Sequence, residues 1–406
     1  MLRCLLEATT RQTRGGTPGL GGVSVVQTAD VAIIGGGIIG TSLAYHLARR
    51  GGAGRVVVLE RALVGSGATG KCNGGVRLQF STPLSIRFSL EAVEVFERFA
   101  EEFGVDAAFR QYGYLFLITD EADLARFREM HALQRSLGVP VEMLPPDDIQ
   151  RLVPALRTDG VLAGSFCGRD GFADPHAVVG GYARRARELG VQILEGTVVT
   201  GVRVEAGRVR GVETEAGFVE APCVVNAAGP WSGLVGRLVG IEVPVQPYRR
   251  SQFMTDPFDG VVDPMPLVIE SGAGFSFRKE GPGVLMGMTK PEPPGRFDES
   301  LDWEWLPQVI EHAVRWVPAL AEARITGGYA GFYDLSADRH PIIGPVPEIE
   351  GLFCCTGFSG HGFMHGPPAS RLLAEWILDG QPSLDLTPFG IKRFRHAPVA
   401  PEQMVW

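Results

Sequence analysis

The sequence predicts a mixed α/β fold in which a parallel sheet is interleaved with an antiparallel one. Two observations lead to this prediction. A glycine-rich strand-to-helix turn near residue 35 has a counterpart near residue 357, and residues 245 to 288, which lie between them, alternate short strands with turn residues. Such an interrupted order does not suit a protein whose two nucleotide-binding halves run consecutively. The two distant turns therefore predict one long ligand that is held at two places.

The first turn, residues 35 to 40, carries the pattern GxGxxG directly after an apolar run. Its first glycine permits a tight turn, its second lets a pyrophosphate approach the backbone, and its third lets a helix pack closely on the strand. The N-terminus of that helix offers free N–H groups to the phosphate. The residues predicted to hold the pyrophosphate are Gly35, Gly37, Ile38, Ile39 and Gly40.

An acidic residue stands where a dinucleotide-binding unit needs one. The valine-rich run Arg55 to Leu59 ends in Glu60, about twenty residues after the last glycine of the turn, where a carboxylate binds an unphosphorylated ribose. A glycine-rich turn in an ordinary parallel sheet, followed by a surface glutamate, remains the alternative. The whole strand–turn–helix–strand unit favours the nucleotide.

Composition excludes several classes of protein. The net charge of −8 argues against nucleic acid or an anionic membrane as a partner, and no apolar run approaches the ~18 residues of a membrane span. The six cysteines show no CxxC or Cys/His ligand spacing, so no metal site is predicted. Their scatter is typical of a reducing compartment, and a cytoplasmic location is expected. Residues 1 to 28 carry three arginines against one acid, which leaves organellar import as an alternative.

The order of motifs predicts a discontinuous organisation. An N-terminal extension covers residues 1–28, and a C-terminal tail covers 391–406. The parallel-sheet domain is expected to comprise residues 29–80, 174–235 and 325–390, and the antiparallel, substrate-facing domain residues 81–173 and 236–324.

Six motifs in this order resemble the D-amino-acid oxidase-like superfamily of FAD-dependent amine oxidoreductases. They are VAIIGGGIIG with Glu60, GSGATGKCNGG, EGTVVTGV, VVNAAGPW, DRHPIIGP and CTGFSGHGFMHGP. Within the superfamily the chain looks most like the beta subunits of heterotetrameric sarcosine oxidase and L-proline dehydrogenase. The resemblance implies a Rossmann-like FAD-binding domain of the glutathione-reductase type. It also implies hydride transfer from the carbon beside a small amine or amino acid to flavin N5, giving an imine that water hydrolyses.

The resemblance also assigns cofactor-binding residues position by position. The adenosine side would be met by Glu60, Arg61 and the backbone of Val198. The residues expected to line the pyrophosphate and flavin are Ser66, Ala68, Thr69, Asn73, Gly74 and Gly75. A strand-end motif under the cofactor would comprise Ala228, Gly229 and Trp231. The residues expected around the isoalloxazine ring are Gly344, Gly357, Gly360, His361, Gly362, Phe363 and Met364.

Five side chains are the catalytic candidates. Arg77 matches an arginine beside the flavin of sarcosine oxidases, with a structural salt bridge as the alternative, and Tyr333 matches a substrate-pocket tyrosine, with a core aromatic as the alternative. Tyr248 and Arg249 begin the antiparallel layer, where either Arg249 or Arg250 could bind a substrate carboxylate bidentately. His361 is a candidate for orienting substrate or flavin, or for proton transfer.

Departures from the family pattern refine these expectations. Gly331 occupies the place of the cysteine that tethers FAD in monomeric sarcosine oxidases, so a non-covalent FAD is predicted. Met364 replaces a substrate-binding lysine, and Leu285 falls where a lysine activates oxygen, so a dehydrogenase is favoured over an oxidase. His176 is displaced from the histidine that tethers FMN in related beta subunits, so FMN is possible but not supported.

Alternative functions and partners remain open at this level. One is a non-catalytic FAD-binding assembly or interaction protein on the same scaffold. Another is a beta subunit that is active only with an alpha-type partner, and a homo-oligomer is a third possibility. The sequence identifies neither the amine nor the electron acceptor.

Overall fold

The computed structural model describes residues 28–395 and 400–404. The predictions for the N-terminal extension fall, apart from Thr28, outside the described residues. The strands, in chain order, are β1 Val31–Ile34, β2 Val56–Leu59, β3 Gly75–Val76, β4 Tyr114–Ile118, β5 Glu142–Leu144, β6 Ala163–Cys167, β7 Gly171–Phe172, β8 Gln192–Leu194, β9 Val199–Glu205, β10 Arg208–Thr214, β11 Gly217–Glu220, β12 Cys223–Asn226, β13 Val245–Thr255, β14 Leu267–Glu270, β15 Ser276–Glu280, β16 Gly283–Gly287, β17 Ile325–Ser336, β18 Ile342–Pro345 and β19 Leu352–Thr356. The α-helices are α1 Ile38–Arg50, α2 Pro83–Glu97, α3 Phe99–Phe103, α4 Glu121–Ser136, α5 Pro146–Leu152, α6 Pro175–Glu188, α7 Ser232–Arg237, α8 Leu306–Trp316 and α9 Gly362–Asp379.

The first sheet has the order β18-β19-β12-β1-β2-β8. Its strands are parallel except at β18, which runs antiparallel to β19. Every residue of β1 and β2 is buried, as expected for parallel strands covered on both faces. Helix α1 packs against α6 and α9 on this sheet. The predicted parallel sheet is therefore present, and it is assembled from the two ends and the middle of the chain.

The second sheet has eight strands in the order β17-β13-β16-β15-β14-β4-β6-β5. Its pairs are antiparallel, except that β14 runs parallel to β4. Strand β17 pairs with β13 from Ile325 to Ser336. Residues 325–336 therefore belong to this sheet, whereas the sequence-based boundary at residue 325 placed them in the parallel-sheet domain. The mixed α/β class is confirmed.

The described part of the predicted C-terminal tail is docked on the fold. Residues Ile391–Arg395 form a 3₁₀ turn, and Arg393, which is buried, makes two bonds to Asp338, at 2.7 and 2.9 Å. Farther on, Glu402 and Met404 have no exposed surface. This segment therefore contributes to the core instead of extending from it.

Three further features of the described residues bear on function. Among residues 28–395 and 400–404, no helix has the length and apolarity needed to cross a bilayer. The same residues contain no cluster of histidine, cysteine, aspartate or glutamate suited to a metal ion. The described cysteines are all free.

Candidate active site

A cleft of about 1560 Å³, partly open to solvent, lies where strands β1 and β12 end and the second sheet approaches them. The carboxyl ends of parallel strands are the usual place for a ligand in such sheets. The predicted cofactor residues that line it are Gly35, Gly37, Ile38, Ile39, Glu60, Arg61, Ser66, Ala68, Thr69, Val198, Ala228, Gly229, Trp231, Gly360, Gly362 and Phe363. Both glycine-rich turns therefore contribute to one cleft.

The first turn is shaped by close backbone approaches. Gly35 has φ +113°, and a Cβ there would lie 2.4 Å from the carbonyl oxygen of Ala227. A Cβ at Gly40 would lie 1.9 Å from the carbonyl oxygen of Gly35. The Gly36 N–H donates to Oε2 of Glu60 at 2.7 Å, and the Ile38 N–H donates to Oγ1 of Thr69 at 3.1 Å. Only glycine fits at positions 35 and 40. Gly35, Gly37 and Ile38 line the cleft, and a pyrophosphate site requires such a turn with free backbone N–H groups.

The second turn is fixed by a carboxylate that sequence reasoning missed. Oδ2 of Asp334 accepts hydrogen bonds from the N–H groups of Gly357, at 2.8 Å, and Phe358, at 3.0 Å. Burial raises the pKa of Asp334 to about 6, although these backbone hydrogen bonds act in the opposite direction. Asp334 also lines the cleft. The sequence did contain a signal for this role, because Asp334 is the single acidic residue of strand β17.

Arg250, and neither Arg249 nor Tyr248, reaches the cleft. The guanidinium carbon of Arg250 lies 4.6 Å from the ring centroid of Tyr333, which also lines the cleft. Successive residues of a strand point to opposite faces, and Arg249 contacts Asp298 and Asp302 at 3.0 and 2.9 Å. Of the two arginines that the sequence offered for a substrate carboxylate, Arg250 is therefore the one that lines the cleft, and Arg249 and Tyr248, also named as catalytic candidates, do not line it.

Comparison with known proteins agrees with this geometry. The family described as FAD dependent oxidoreductase (DAO) matches residues 30–376. This chain belongs to that family. The predicted oxidoreductase class and the predicted cofactor, FAD, are thereby confirmed.

Individual relatives cover most of the chain. Sarcosine dehydrogenase, mitochondrial, of Homo sapiens is 32% identical over an alignment of 387 residues, and the match covers 91% of this chain and 42% of that protein. The chain thus spans less than half the length of this relative. FAD-dependent oxidoreductase domain-containing protein 1 of Xenopus laevis is 32% identical, with 91% of this chain and 83% of that protein covered.

Solved structures in the same family have closely similar folds. L-proline dehydrogenase from P. horikoshii superposes with a TM-score of 0.86 at 32% identity, over 91% of this chain and 99% of that one. Glycine oxidase from Geobacillus kaustophilus superposes with a TM-score of 0.82 at 25% identity, over 92% and 100% of the two chains.

Eight predicted FAD-binding residues are not among those that line the cleft: Gly40, Asn73, Gly74, Gly75, Gly344, Gly357, His361 and Met364. Most of the glycines among them allow close packing. A Cβ at Gly74 would lie 2.0 Å from the Ala173 carbonyl oxygen, and one at Gly75 would lie 1.8 Å from the Tyr114 hydroxyl. These residues shape the loops around the FAD site, and their direct contact with FAD remains a prediction.

Arg77 is also absent from the cleft lining, and it is buried. Its buried guanidinium donates to the carbonyl oxygens of Gln79 and Met404 and lies 4.0 Å from the ring centroid of Phe80. Asp170, which sequence reasoning missed, accepts hydrogen bonds from the Leu78 N–H at 2.7 Å and from Nε2 of Gln79 at 2.9 Å. Burial raises the pKa of Asp170 to about 7. Arg77 is therefore held by backbone carbonyls in a buried polar network.

His361 is buried against aromatic rings. Its ring lies 5.3 Å from Phe80 and 4.9 Å from His365 between centroids, and neither ring nitrogen has a hydrogen-bond partner among the described residues. Burial, with the charges of His365 and Arg77, holds the pKa of His361 well below its usual value. The ring is therefore neutral, and it lies outside the cleft wall.

The departures from the family pattern have structural counterparts. Gly331 lines the cleft, where a Cβ would lie 2.7 Å from Cβ of Lys71. Leu285 is buried and pairs with Arg278 on the neighbouring strand. His176 packs against Gly70, where a Cβ would lie 2.7 Å from its ring. Burial raises the pKa of Cys72, another cleft residue, to about 12, so its thiol stays protonated.

Proposed function

We propose that this protein is a dehydrogenase that oxidises the carbon–nitrogen bond of a small amino acid, with FAD bound non-covalently. The observation that carries the proposal is the position of Arg250 beside Tyr333 in the cleft. A guanidinium is the side chain best suited to bidentate binding of a carboxylate. The curated relatives and solved neighbours include proteins named for sarcosine, proline and glycine, which all carry a carboxylate beside the nitrogen.

The second glycine-rich turn supports the same orientation of the substrate. A Cβ at Gly360 would lie 2.4 Å from the Tyr333 ring, so the turn and the Tyr333–Arg250 pair are adjacent. Bound FAD would supply the two-electron acceptor at this turn. Arg250 would hold the carboxylate while Tyr333 limits the space beside it, which brings the α-carbon into a fixed orientation.

No side chain of the cleft is required to act as a base. His361 is neutral but does not line the cleft, and Asp334 accepts hydrogen bonds from two backbone N–H groups. The amine therefore reacts after binding in its neutral form, and removal of water from the cleft favours that form.

Three residues support the finer assignments, a non-covalent FAD and a dehydrogenase. Gly331 offers no thiol for a flavin tether, and the raised pKa of the Cys72 thiol makes it a poor nucleophile. Leu285 is apolar and buried, so it gives no charge to stabilise superoxide, and reaction with oxygen is expected to be slow.

Anaerobic mixing of the FAD-loaded protein with a panel of amino acids tests the proposal. The panel contains sarcosine, L-proline, glycine, D-alanine and dimethylglycine, and flavin absorbance is followed before and after air is admitted. Bleaching by one compound with slow recovery in air is the expected result. Fast recovery would establish an oxidase. Bleaching by dithionite alone would favour the non-catalytic assembly protein, or the beta subunit that needs a partner.

The compartment is a separate prediction. The cytoplasmic location is tested by fractionating cells that express the full chain with a C-terminal tag. Recovery with organelles would instead favour import, which the arginine content of residues 1 to 28 and the word mitochondrial in the names of two kinds of relative support.

A further inference from the structure

A loop between β16 and α8 touches the rim of the FAD cleft at two points. We call residues 289–302 the cover segment. Within it, Glu299 lines the cleft, and its Oε2 lies 2.7 Å from Nζ of Lys71, which belongs to the GSGATGKCNGG motif. Phe297 stacks on Trp231, another cleft residue, with 5.6 Å between centroids. The segment thus reaches from the second sheet to the residues that surround the cofactor.

The cover segment is firmly attached to the second sheet. The guanidinium of Arg249 contacts Asp298 and Asp302, and Nζ of Lys290 lies 2.6 Å from Asp302. Although burial acts to raise the pKa of Asp302, the hydrogen bond from Lys290 and the charges of Lys290 and Arg249 hold that pKa below its usual value. The Tyr248 hydroxyl donates to the carbonyl oxygen of Lys290. Tyr248 and Arg249, which the sequence suggested for substrate binding, therefore anchor this segment.

We propose that the Lys71–Glu299 ion pair is a clasp that slows the release of FAD. Gly331, the position of the missing covalent tether, lies directly beside Lys71. Lys71 and Glu299 both line the cleft, so their ion pair joins the cover segment to the wall of the site that a non-covalent cofactor has to leave. Its groups are 29% and 34% exposed, so the pair is screened by salt and adds little to folding. The clasp rests on FAD binding and is independent of the substrate.

The rate of FAD release measures the clasp directly. Free FAD fluoresces more strongly than the bound cofactor, so release after dilution of the loaded protein is followed without any substrate. For Glu299→Gln we expect release about fivefold faster, since a partly exposed ion pair contributes up to ~1 kcal/mol. Increasing the salt concentration should accelerate release from the wild-type protein and have much less effect on the variant.

A charge exchange separates the clasp from direct binding of FAD by Lys71. Lys71→Glu alone places two carboxylates together and should accelerate release more than Glu299→Gln does. The double variant Lys71→Glu/Glu299→Lys should return to within about twofold of the wild-type rate. If Lys71 instead held a phosphate of FAD, the double variant would release FAD as fast as Lys71→Glu, and the proposal would be overturned.

The control removes an ion pair of similar geometry elsewhere. Arg208 and Glu350 are 2.6 Å apart and exposed, outside the cleft, so Glu350→Gln should leave the release rate and its salt dependence unchanged. A wild-type rate and salt dependence in Glu299→Gln would also overturn the clasp. Because no amino acid is present, a failure of the substrate panel does not affect these outcomes.

Discussion

The guanidinium carbon of Arg250 lies 4.6 Å from the ring centroid of Tyr333, and the Tyr333 ring in turn packs against Gly360. Strand β13, strand β17 and the second glycine-rich turn therefore meet at these side chains. The contact links the residue proposed to bind the substrate carboxylate to the turn that borders the FAD site.

Arg250→Lys tests carboxylate binding. Lysine keeps the charge but loses the planar, two-pronged donor, so kcat/KM for the amino acid found in the panel should fall about 10- to 100-fold, as expected for a lost charge-assisted hydrogen bond of ~1.5–3 kcal/mol. An amine analogue of the same shape without the carboxylate serves as the control substrate. Equal losses for both substrates would show that Arg250 acts in some other way.

Gly35→Ala tests the close approach at the first turn. The new Cβ would lie 2.4 Å from a backbone oxygen, at a residue with φ +113°, so the protein should purify with little or no FAD. Gly240→Ala is the matched control, because Gly240 has φ +71° and no atom within 4 Å of a Cβ. It should cost ~1 kcal/mol of stability and keep its yellow colour. Full FAD content in Gly35→Ala would contradict the assignment of this turn to the pyrophosphate.

Asp334→Asn tests the buried carboxylate by its pH dependence. Because the pKa of Asp334 is raised to about 6 in the folded protein, from about 4 in the unfolded chain, its ionisation opposes folding. The stabilisation that the protonated carboxyl provides is complete below about pH 4 and is lost as the pH rises through about 6. Over this range the free energy of unfolding should fall by roughly 3 kcal/mol on account of Asp334.

The measurement is the free energy of unfolding of both proteins, determined in urea across this pH range. As the pH rises, the free energy of unfolding of the wild-type protein should fall relative to that of Asp334→Asn. Other titrating groups, Asp170 included, are present in both proteins, so their contributions cancel in the difference. A difference that stays constant with pH would show that Asp334 titrates normally.

Arg393→Met tests how the C-terminal segment is held. The pair Arg393–Asp338 is almost fully buried, and removal of Arg393 leaves the charge of Asp338 uncompensated. The free energy of unfolding, measured in guanidinium, should therefore fall by ~3 kcal/mol. Arg208→Met removes the exposed Arg208–Glu350 pair and should change stability by no more than ~1 kcal/mol. Equal effects of the two substitutions would contradict the docked arrangement of residues 391–395.

Local sequence patterns predicted the elements around the cleft well. The turns at Gly35 and Gly360, the buried runs Val31–Ile34 and Val56–Leu59, and the final helix were all expected from spacing and glycine placement. They are predictable because backbone conformation at a tight turn and burial on both faces of a strand select residue types directly.

Contacts between distant parts of the chain were not predictable in this way. Sequence alone did not decide between Arg249 and Arg250, because the direction of each side chain depends on which face of the strand meets the cleft. The bonds of Asp334 to Gly357 and the ion pair of Lys71 with Glu299 join segments that only folding brings together.

The sequence by itself therefore determined the family, the two glycine-rich turns and the mixed α/β architecture, since these depend on local conformation and on spacing along the chain. The tertiary structure alone decided which arginine faces the cleft, which carboxylate holds the second turn, and what Tyr248 and Arg249 do. These depend on packing between the two sheets, where the partner of a side chain is set by three-dimensional proximity and not by separation in sequence.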